Sequence, residues 1–461
     1  MEAGFFICVR KIQTDIFFWI ILAGNKLPIL IPIKELYKTF LLHPVVCTDT
    51  RLLSPGCLFF ALKGENFNGN KFAAKSLEGG AAFAVVDEKE FVVNDQCLLV
   101  DDVLQSLQQL ATHHRNQLNI PVIAITGSNG KTTTKELTAV VLSRKYKTLF
   151  TKGNLNNHIG VPLTLLSITA DHQIAVVEMG ANHQKEIEAL CLIAQPDYGL
   201  ITNIGKAHLE GFGGFEGVKK GKGELYQYIK SVAGLIFING DNSFLNELLA
   251  GYDNVCTYGT TFSNDVAGEG ELNGSFLSVN LMSPFKAKIK TQVTGIYNFE
   301  NVMSAIAVGI YFKVEPEEIK SAIENYVPSN QRSQVVKKAN NVTLVMDAYN
   351  ANPSSIMAAL DNFSYAFSGD KIVALGDMLE LGIESEQEHK MIVDDLLKRN
   401  FTQVILVGPQ FESAAKNSGL LLFANSTDAA QWLILNPVKN SSILIKGSRG
   451  IKMELIADAI D

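Results

Sequence analysis

Paired cysteines, a basic surplus and long apolar runs are all missing from this sequence. Its six cysteines, Cys8, Cys47, Cys57, Cys97, Cys191 and Cys256, include no CxxC pair, so neither a zinc site nor a disulfide framework is implied, and a reducing cytoplasm is the expected compartment. With 40 Lys+Arg against 47 Asp+Glu the net charge is -7, which gives no footprint for nucleic acid and no polybasic run for an anionic membrane. The longest apolar run, residues 16–24, is too short to span a bilayer, so no stable membrane insertion is expected. Arg10 and Lys11 before that run have the form of a signal peptide, yet everything downstream reads as a cytoplasmic enzyme. Residues 1–30 are therefore read as an extension, with the folded chain beginning near residues 31–35. Internal repeats and low-complexity linkers are absent too.

What is present is an ordinary globular composition, 47% apolar and 19% charged over 461 residues, enough for about three domains. Residues 31–117 mix short apolar runs with glycine turns ("GCLFFALKGENFNG", "GGAAFAVVDE"), the pattern of a small α/β domain. Residues 118–330 open on "NIPVIAITGSNGKTTTKELTAVVL" and continue through "IAVVEMG", "YGLITNIG" and "GLIFINGDN", strand-like runs spaced by helical segments. That alternation predicts a mostly parallel, helix-covered sheet. Residues 331–461 repeat it in "VTLVMDAYN", "KIVALGDM", "QVILVG" and "SSILIKGSRG", a second doubly wound domain with polar residues at strand ends, where such folds bind ligands. The expected fold class is α/β in three domains.

The segment "TGSNGKTT" departs from the GxxxxGK[ST] phosphate loop, because Ile125 stands where the first glycine belongs and Gly127 gives GxxGKT instead. A glycine turn between a buried strand and a helix still presents N–H groups and the helix's positive end to phosphate. Gly127, Ser128, Asn129, Gly130 and Thr133 would line such a loop, Lys131 would add a charge, and the Thr132 hydroxyl could ligate magnesium. Glu178 ends an apolar strand and His208 lies just beyond the next, so both could reach a magnesium ion or a second one, although taken alone a capped carboxylate and an ordinary loop histidine are the plainer readings. Lys222 lies between Gly221 and Gly223 on a predicted helix, where each glycine costs about 1 kcal/mol and points to close approach of a backbone or ligand.

In series, "TGSNGKTT", "GNLNNHIGVPLTLL", "VVEMGANH", "NIGKAHLEGFG", "KGKGE", "GIYNFENVMSAIAV" and "MDAYNANPSSIMAAL" resemble the Mur ligases of bacterial cell-wall synthesis, nearest the last amide ligase of that series. "DAYNANP" and "GDMLELG" are the most specific parts of the likeness, which runs from about residue 33 to the C-terminus. The resemblance implies that residues 31–117 form a UDP-sugar-binding domain, 118–330 a P-loop-type ATPase domain and 331–461 a Rossmann-like ligase domain. It implies ATP and Mg2+ (two ions), UDP-MurNAc-tripeptide and D-Ala-D-Ala as substrates, and a monomer. Carried over by motif, Thr132, Glu178, His208 and Lys222 would form the metal site, Lys222 as a CO2-derived carbamate. Asn298 and Asn301 would contact adenine, Arg332 phosphate and Asp347 the ribose. Asp49, Thr50, Arg51, Lys63, Gly64 and Asn68 fall on the uridine-nucleotide segment, and Asn154, Asn156 and Asn157 on the sugar-phosphate end. Tyr349, Asn350, Asn352 and Arg449 are candidates for D-Ala-D-Ala or ATP. Competing expectations are a sister ligase adding one amino acid, a folylpolyglutamate synthase, and a nucleotide switch that hydrolyses ATP without ligation.

Overall fold

The computed structural model describes residues 30–329 and 332–460, so the expected extension lies outside the described residues apart from Leu30. The chain divides into two compact units, Met1–Asn119 with His158–Thr169, and Ile120–Asn157 with Ala170–Asp461. The first unit carries a parallel four-stranded sheet in the order Val46–Cys47, Leu58–Phe60, Phe83–Val86, Cys97–Leu99. Its helix Val103–Arg115 starts where the Asp102 carboxylate accepts the Gln105 N–H at 2.7 Å, the usual cap for an orphan donor.

Residues 158–169, read from the sequence as part of the central domain, cluster instead with this first unit. Their helix Gly160–Leu166 is GVPLTLL, apolar on nearly every side, with Val161, Leu165 and Leu166 buried, so it needs a cover. The helix Val103–Arg115 supplies polar fastenings as well. Gln108 Nε2 donates to the His158 carbonyl at 3.0 Å, and His114 Nε2 lies 2.9 Å from the Ile168 carbonyl. The Tyr37 hydroxyl is 3.2 Å from His114 Nδ1.

The second unit holds two sheets. One has nine strands in the order Ala287–Thr294, Phe276–Ser283, Val266–Asn273, Val255–Gly259, Leu235–Asn239, Tyr198–Ile201, Val122–Thr126, Ile174–Glu178, Thr148–Phe150. From Val266–Asn273 to Thr148–Phe150 neighbours run parallel, and Val122–Thr126, Ile174–Glu178 and Leu235–Asn239 are buried along their whole length, as strands covered on both faces must be. The last three strands differ from the expected alternation with helices. Val266–Asn273, Phe276–Ser283 and Ala287–Thr294 form an antiparallel ribbon, and along most of Ala287–Thr294 burial alternates residue by residue, the period of a strand with one wet face. Asn273-Gly274 turns its first hairpin, with Gly274 at φ +63°.

The other sheet has six strands, Gln334–Lys338, Val342–Asp347, Ser441–Lys446, Asp370–Gly376, Gln403–Val407, Leu421–Phe423, parallel except for the first. Among the described residues no helix is long and apolar enough to cross a membrane.

Candidate active site

The strand Val122–Thr126 delivers the glycine loop, and the helix Lys131–Leu142 leaves it. Gly127 at φ +140° and Gly130 at φ +80° occupy backbone conformations that side chains strain to adopt. Space excludes a side chain too. A Cβ on Gly127 would lie 2.0 Å from Thr202 Oγ1, and one on Gly130 2.4 Å from Asn301 Oδ1. The loop is tied to the neighbouring strand end. The Ser128 N–H donates to the Asn203 carbonyl at 3.0 Å, the Asn129 N–H to Asn203 Oδ1 at 3.0 Å, and Ser128 Oγ accepts the Gly205 N–H at 2.9 Å.

Lys131 lies back along this loop, donating to the carbonyls of Gly127 at 2.7 Å and Ser128 at 3.3 Å. Burial lowers its ammonium to about 8, with Glu178 opposing and Arg332 adding to the fall. One residue on, the Thr132 hydroxyl is 3.1 and 3.0 Å from the two carboxylate oxygens of Glu178. Glu178 ends its strand buried, accepting from Asn156 Nδ2 at 2.8 Å. Lys135, one turn beyond Lys131, places Nζ 3.6 Å from the same carboxylate, and this buried ammonium has no hydrogen-bond partner among the described residues. Its pKa is lowered by burial, against the pull of Glu178 and Glu136. Thr133 is buried in the same first turn. Hydroxyl and carboxylate oxygens side by side are the hard donors that Mg2+ takes from a protein while keeping water and phosphate for its other positions.

The other expected metal residues are arranged differently. His208, itself at φ +53°, turns Nδ1 to the Glu380 carboxylate, and the proximity lowers the Glu380 pKa. Lys222 is fully buried on the helix Phe215–Ser231 and donates to the Ala181 carbonyl at 3.0 Å, with the Phe212 ring 4.9 Å away. Burial first, then the Lys131 charge, holds its pKa well below the usual lysine value. Gly221 is explained by packing: its Cβ would meet the Phe212 ring at 2.4 Å. Among the described residues no three His, Cys, Asp or Glu gather closely enough to hold a metal by themselves.

Asn298 and Asn301 are buried and engaged inside the protein. Thr134 Oγ1 donates to Asn301 Oδ1 at 3.0 Å, Asn301 Nδ2 to Asn298 Oδ1 at 2.7 Å, and Asn298 Nδ2 to the Thr294 carbonyl at 2.7 Å. The Tyr297 hydroxyl meets Ser333 Oγ at 3.0 Å.

On the six-stranded sheet, the Arg332 guanidinium lies 3.8 Å over the Tyr349 ring, and Arg449 approaches the same ring at 5.1 Å. Arg332 Nε is buried with no hydrogen-bond partner among the described residues, so a donor is available to an anion. Asp347 is held by Lys446 at 2.6 Å, and Lys446 also donates to the Asn350 carbonyl at 3.1 Å. Asn350 Oδ1 accepts the Ala351 N–H at 2.9 Å, a local turn. Asn352 caps the helix Pro353–Ala366 and sends Nδ2 to Asn129 Oδ1 at 2.8 Å, so it joins the DAYNANP segment to the phosphate loop.

In the first unit, Asp49 and Arg51 pair with each other at 2.6 Å, which pulls the Asp49 carboxyl down to about 2, and Thr50 begins the short turn between them. Lys63 pairs with Asp87 at 3.1 Å, Asn68 donates to Glu88 at 2.9 Å, and Gly64 lies opposite Phe67 in a two-strand ribbon. In the 153–160 loop the Asn156 N–H donates to the Asn154 carbonyl at 2.8 Å, and Asn157 follows it. Three residues near the site were not singled out from the sequence: Lys135, Lys446 and Ser333. Lys446 ends a strand in the same way as Asp347 and was legible from that position, whereas Lys135 looks like any helix lysine until its burial is known.

The Mur ligase middle domain family matches residues 125–309, and the Mur ligase glutamate ligase domain family residues 331–449. The chain is 36% identical to the UDP-N-acetylmuramoyl-tripeptide–D-alanyl-D-alanine ligase of Bacillus subtilis strain 168, over 92% of this chain and 94% of that protein. It is 35% identical to the ligase of the same name from Escherichia coli K12, over 90% and 93%. Among solved structures, a MurF crystal structure from Acinetobacter baumannii aligns with TM-score 0.81 at 35% identity, covering 90% of this chain and 92% of that one. MurF ligase from Thermotoga maritima, in complex with ADP, aligns with TM-score 0.79 at 26% identity over 90% and 96%.

Proposed function

This chain belongs to the Mur ligase family, and from that premise we infer that it joins D-alanyl-D-alanine to UDP-N-acetylmuramoyl-tripeptide at the expense of ATP, making a peptidoglycan precursor. The observation that carries the reading is the meeting of Lys131, Thr132 and buried Glu178 at the glycine loop, inside a chain similar along most of its length to ligases of that name.

The reaction needs two anions, the peptide carboxylate and the γ-phosphate, to be brought together. Lys131 and Arg332 supply the opposing charge, and the unpartnered Nε of Arg332 is a donor for a phosphate oxygen. The carboxylate attacks phosphorus, ADP departs and an acyl phosphate forms. The amine of the dipeptide then attacks the acyl carbon and releases phosphate. Thr132 and Glu178 would hold Mg2+, with His208 proposed as a further ligand, and the ion when bound would neutralise phosphate oxygens. Lys222 is proposed as a carbamate. Its burial favours the neutral amine, the form that takes up CO2. Tyr349, carrying Arg332 and Arg449 against its ring, is proposed to present their charge to the carboxylate of the incoming dipeptide or to phosphate. The exclusion of water that an acyl phosphate requires is assigned to the third-domain segments that reach the phosphate loop. We place the reaction in the cytoplasm, with a monomer as the working form.

Phosphate release in the presence of ATP, UDP-MurNAc-tripeptide and D-Ala-D-Ala, omitting each in turn, tests the reading. Release should require all three. Support by a single amino acid in place of the dipeptide would reassign the chain to a sister ligase, and release without either peptide substrate would make it a nucleotide switch.

A further inference from the structure

The segment "GDMLELG" singled out in the sequence has no role in the chemistry described so far. It forms the loop Gly376–Gly382 at the end of the strand Asp370–Gly376, and it is rigidly held. The Asp377 N–H donates to the Val407 carbonyl at 2.9 Å, and Asp377 accepts the N–H groups of Gln410 and Phe411 at 2.9 and 2.8 Å. The Met378 N–H donates to His389 Nε2 at 3.0 Å and the Leu379 N–H to Ser448 Oγ at 2.9 Å. So anchored, the loop presents Glu380 in a left-handed conformation, φ +66°, that a glutamate adopts only when its surroundings impose it.

Glu380 meets the segment after the strand Tyr198–Ile201 twice. Its carbonyl accepts the Glu210 N–H at 3.4 Å, and its carboxylate lies against His208 Nδ1. No hydrogen bond of His208 Nε2 forms among the described residues, and the buried Nδ1 meets the Glu380 carboxylate in ion-pair contact, without the alignment of a hydrogen bond. A histidine that binds a metal through one ring nitrogen commonly gives the other N–H to a carboxylate, which fixes tautomer and ring orientation. A second link runs alongside: Lys206 Nζ meets Glu388 Oε1 at 2.5 Å, and the Lys206 N–H donates to Ser354 Oγ at 3.3 Å.

We propose that Glu380 is a positioning residue for His208, holding the proton on Nδ1 so that Nε2 faces the metal site. The nine-stranded sheet's metal site is then completed only when the GDMLELG loop of the six-stranded sheet is docked on it. This rests on the reading of His208 as a metal-site residue. Nothing comparable is asked of Glu388, whose pair with Lys206 merely helps to hold the two sheets together.

The test is Mn2+ binding, followed by electron paramagnetic resonance, to the full chain with a non-hydrolysable ATP analogue. Glu380→Gln keeps the backbone contact to Glu210 and removes the charge, and should weaken Mn2+ by about 10-fold or more. Glu388→Gln should change Mn2+ affinity by less than about 2-fold, on the ground that a partly exposed ion pair contributes little. Thermal melts confirm that both variants fold. Unchanged Mn2+ affinity in Glu380→Gln, or equal weakening in both variants, overturns the proposal while leaving the ligase reading intact. If His208→Ala binds Mn2+ as well as the unaltered chain does, the metal role of His208 falls and the proposal with it.

Discussion

Replacing Asn301 by alanine separates two accounts of that residue. Its side chain accepts from Thr134 Oγ1 at 3.0 Å, donates to Asn298 Oδ1 at 2.7 Å, and stands where a side chain on Gly130 would collide. Asn301→Ala therefore removes two buried hydrogen bonds, each worth about 1 kcal/mol net, and orphans Asn298 Oδ1 for about 1 kcal/mol more. Allowing for partial relaxation, the helix Lys131–Leu142 should lose about 2 kcal/mol of protection. Native-state hydrogen exchange reads this directly as roughly 30-fold faster exchange of amides in that helix, without nucleotide present. A double-mutant cycle with Thr134→Val should return a coupling of about 1 kcal/mol, because the two side chains share one bond. Exchange unchanged in the free protein, with only the ATP requirement raised, would refute the structural account and leave Asn301 as a pure nucleotide contact.

Lys222→Ala should abolish ligation, with partial recovery on adding short carboxylates, and full activity of that variant would remove the carbamate. Lys446→Met, which frees Asp347 and the Asn350 carbonyl, should raise the KM for ATP several-fold with a smaller change in kcat, and an unchanged KM would show that Asp347 needs no such support. His114 is held neutral by burial, its pKa below the usual value, between Tyr37 and the Ile168 carbonyl. Since the unfolded chain binds that proton more readily, stability from His114 is fully present above about pH 6.5 and is lost as pH falls through its lower folded value. Thermal melts of the first unit should therefore fall on acidification below about pH 6.5, and His114→Gln should flatten that dependence. A slope unchanged in the variant would assign it to another group.

The parallel sheets were legible because fully buried strands write themselves as unbroken apolar runs, as in Val122–Thr126 and Ser441–Lys446. The antiparallel ribbon was missed although "ELNGSF" carries a hairpin turn, because its alternating polar strands look like loop. Lys131, Thr132 and Glu178 were singled out because loop chemistry and strand ends mark them, and the fold brings them together. Lys135 was not, because its distinction is burial beside a carboxylate, a property of tertiary packing. Asn298 and Asn301 were recognised by motif alone, and only the structure reveals how much of their hydrogen bonding is internal.

The first unit's dependence on His158–Thr169 also bears on how the protein is made. A nascent chain that has just emerged through Asn119 still lacks the helix Gly160–Leu166, which covers one side of Val103–Arg115. The N-terminal part is therefore expected to stay incomplete while the glycine loop and its helix are synthesised. Folding is thus expected to be interleaved rather than sequential. Fragments cut after Asn119 should expose the apolar face of Val103–Arg115 and aggregate, whereas a fragment in which residues 158–169 are joined on by a short linker should stay in solution.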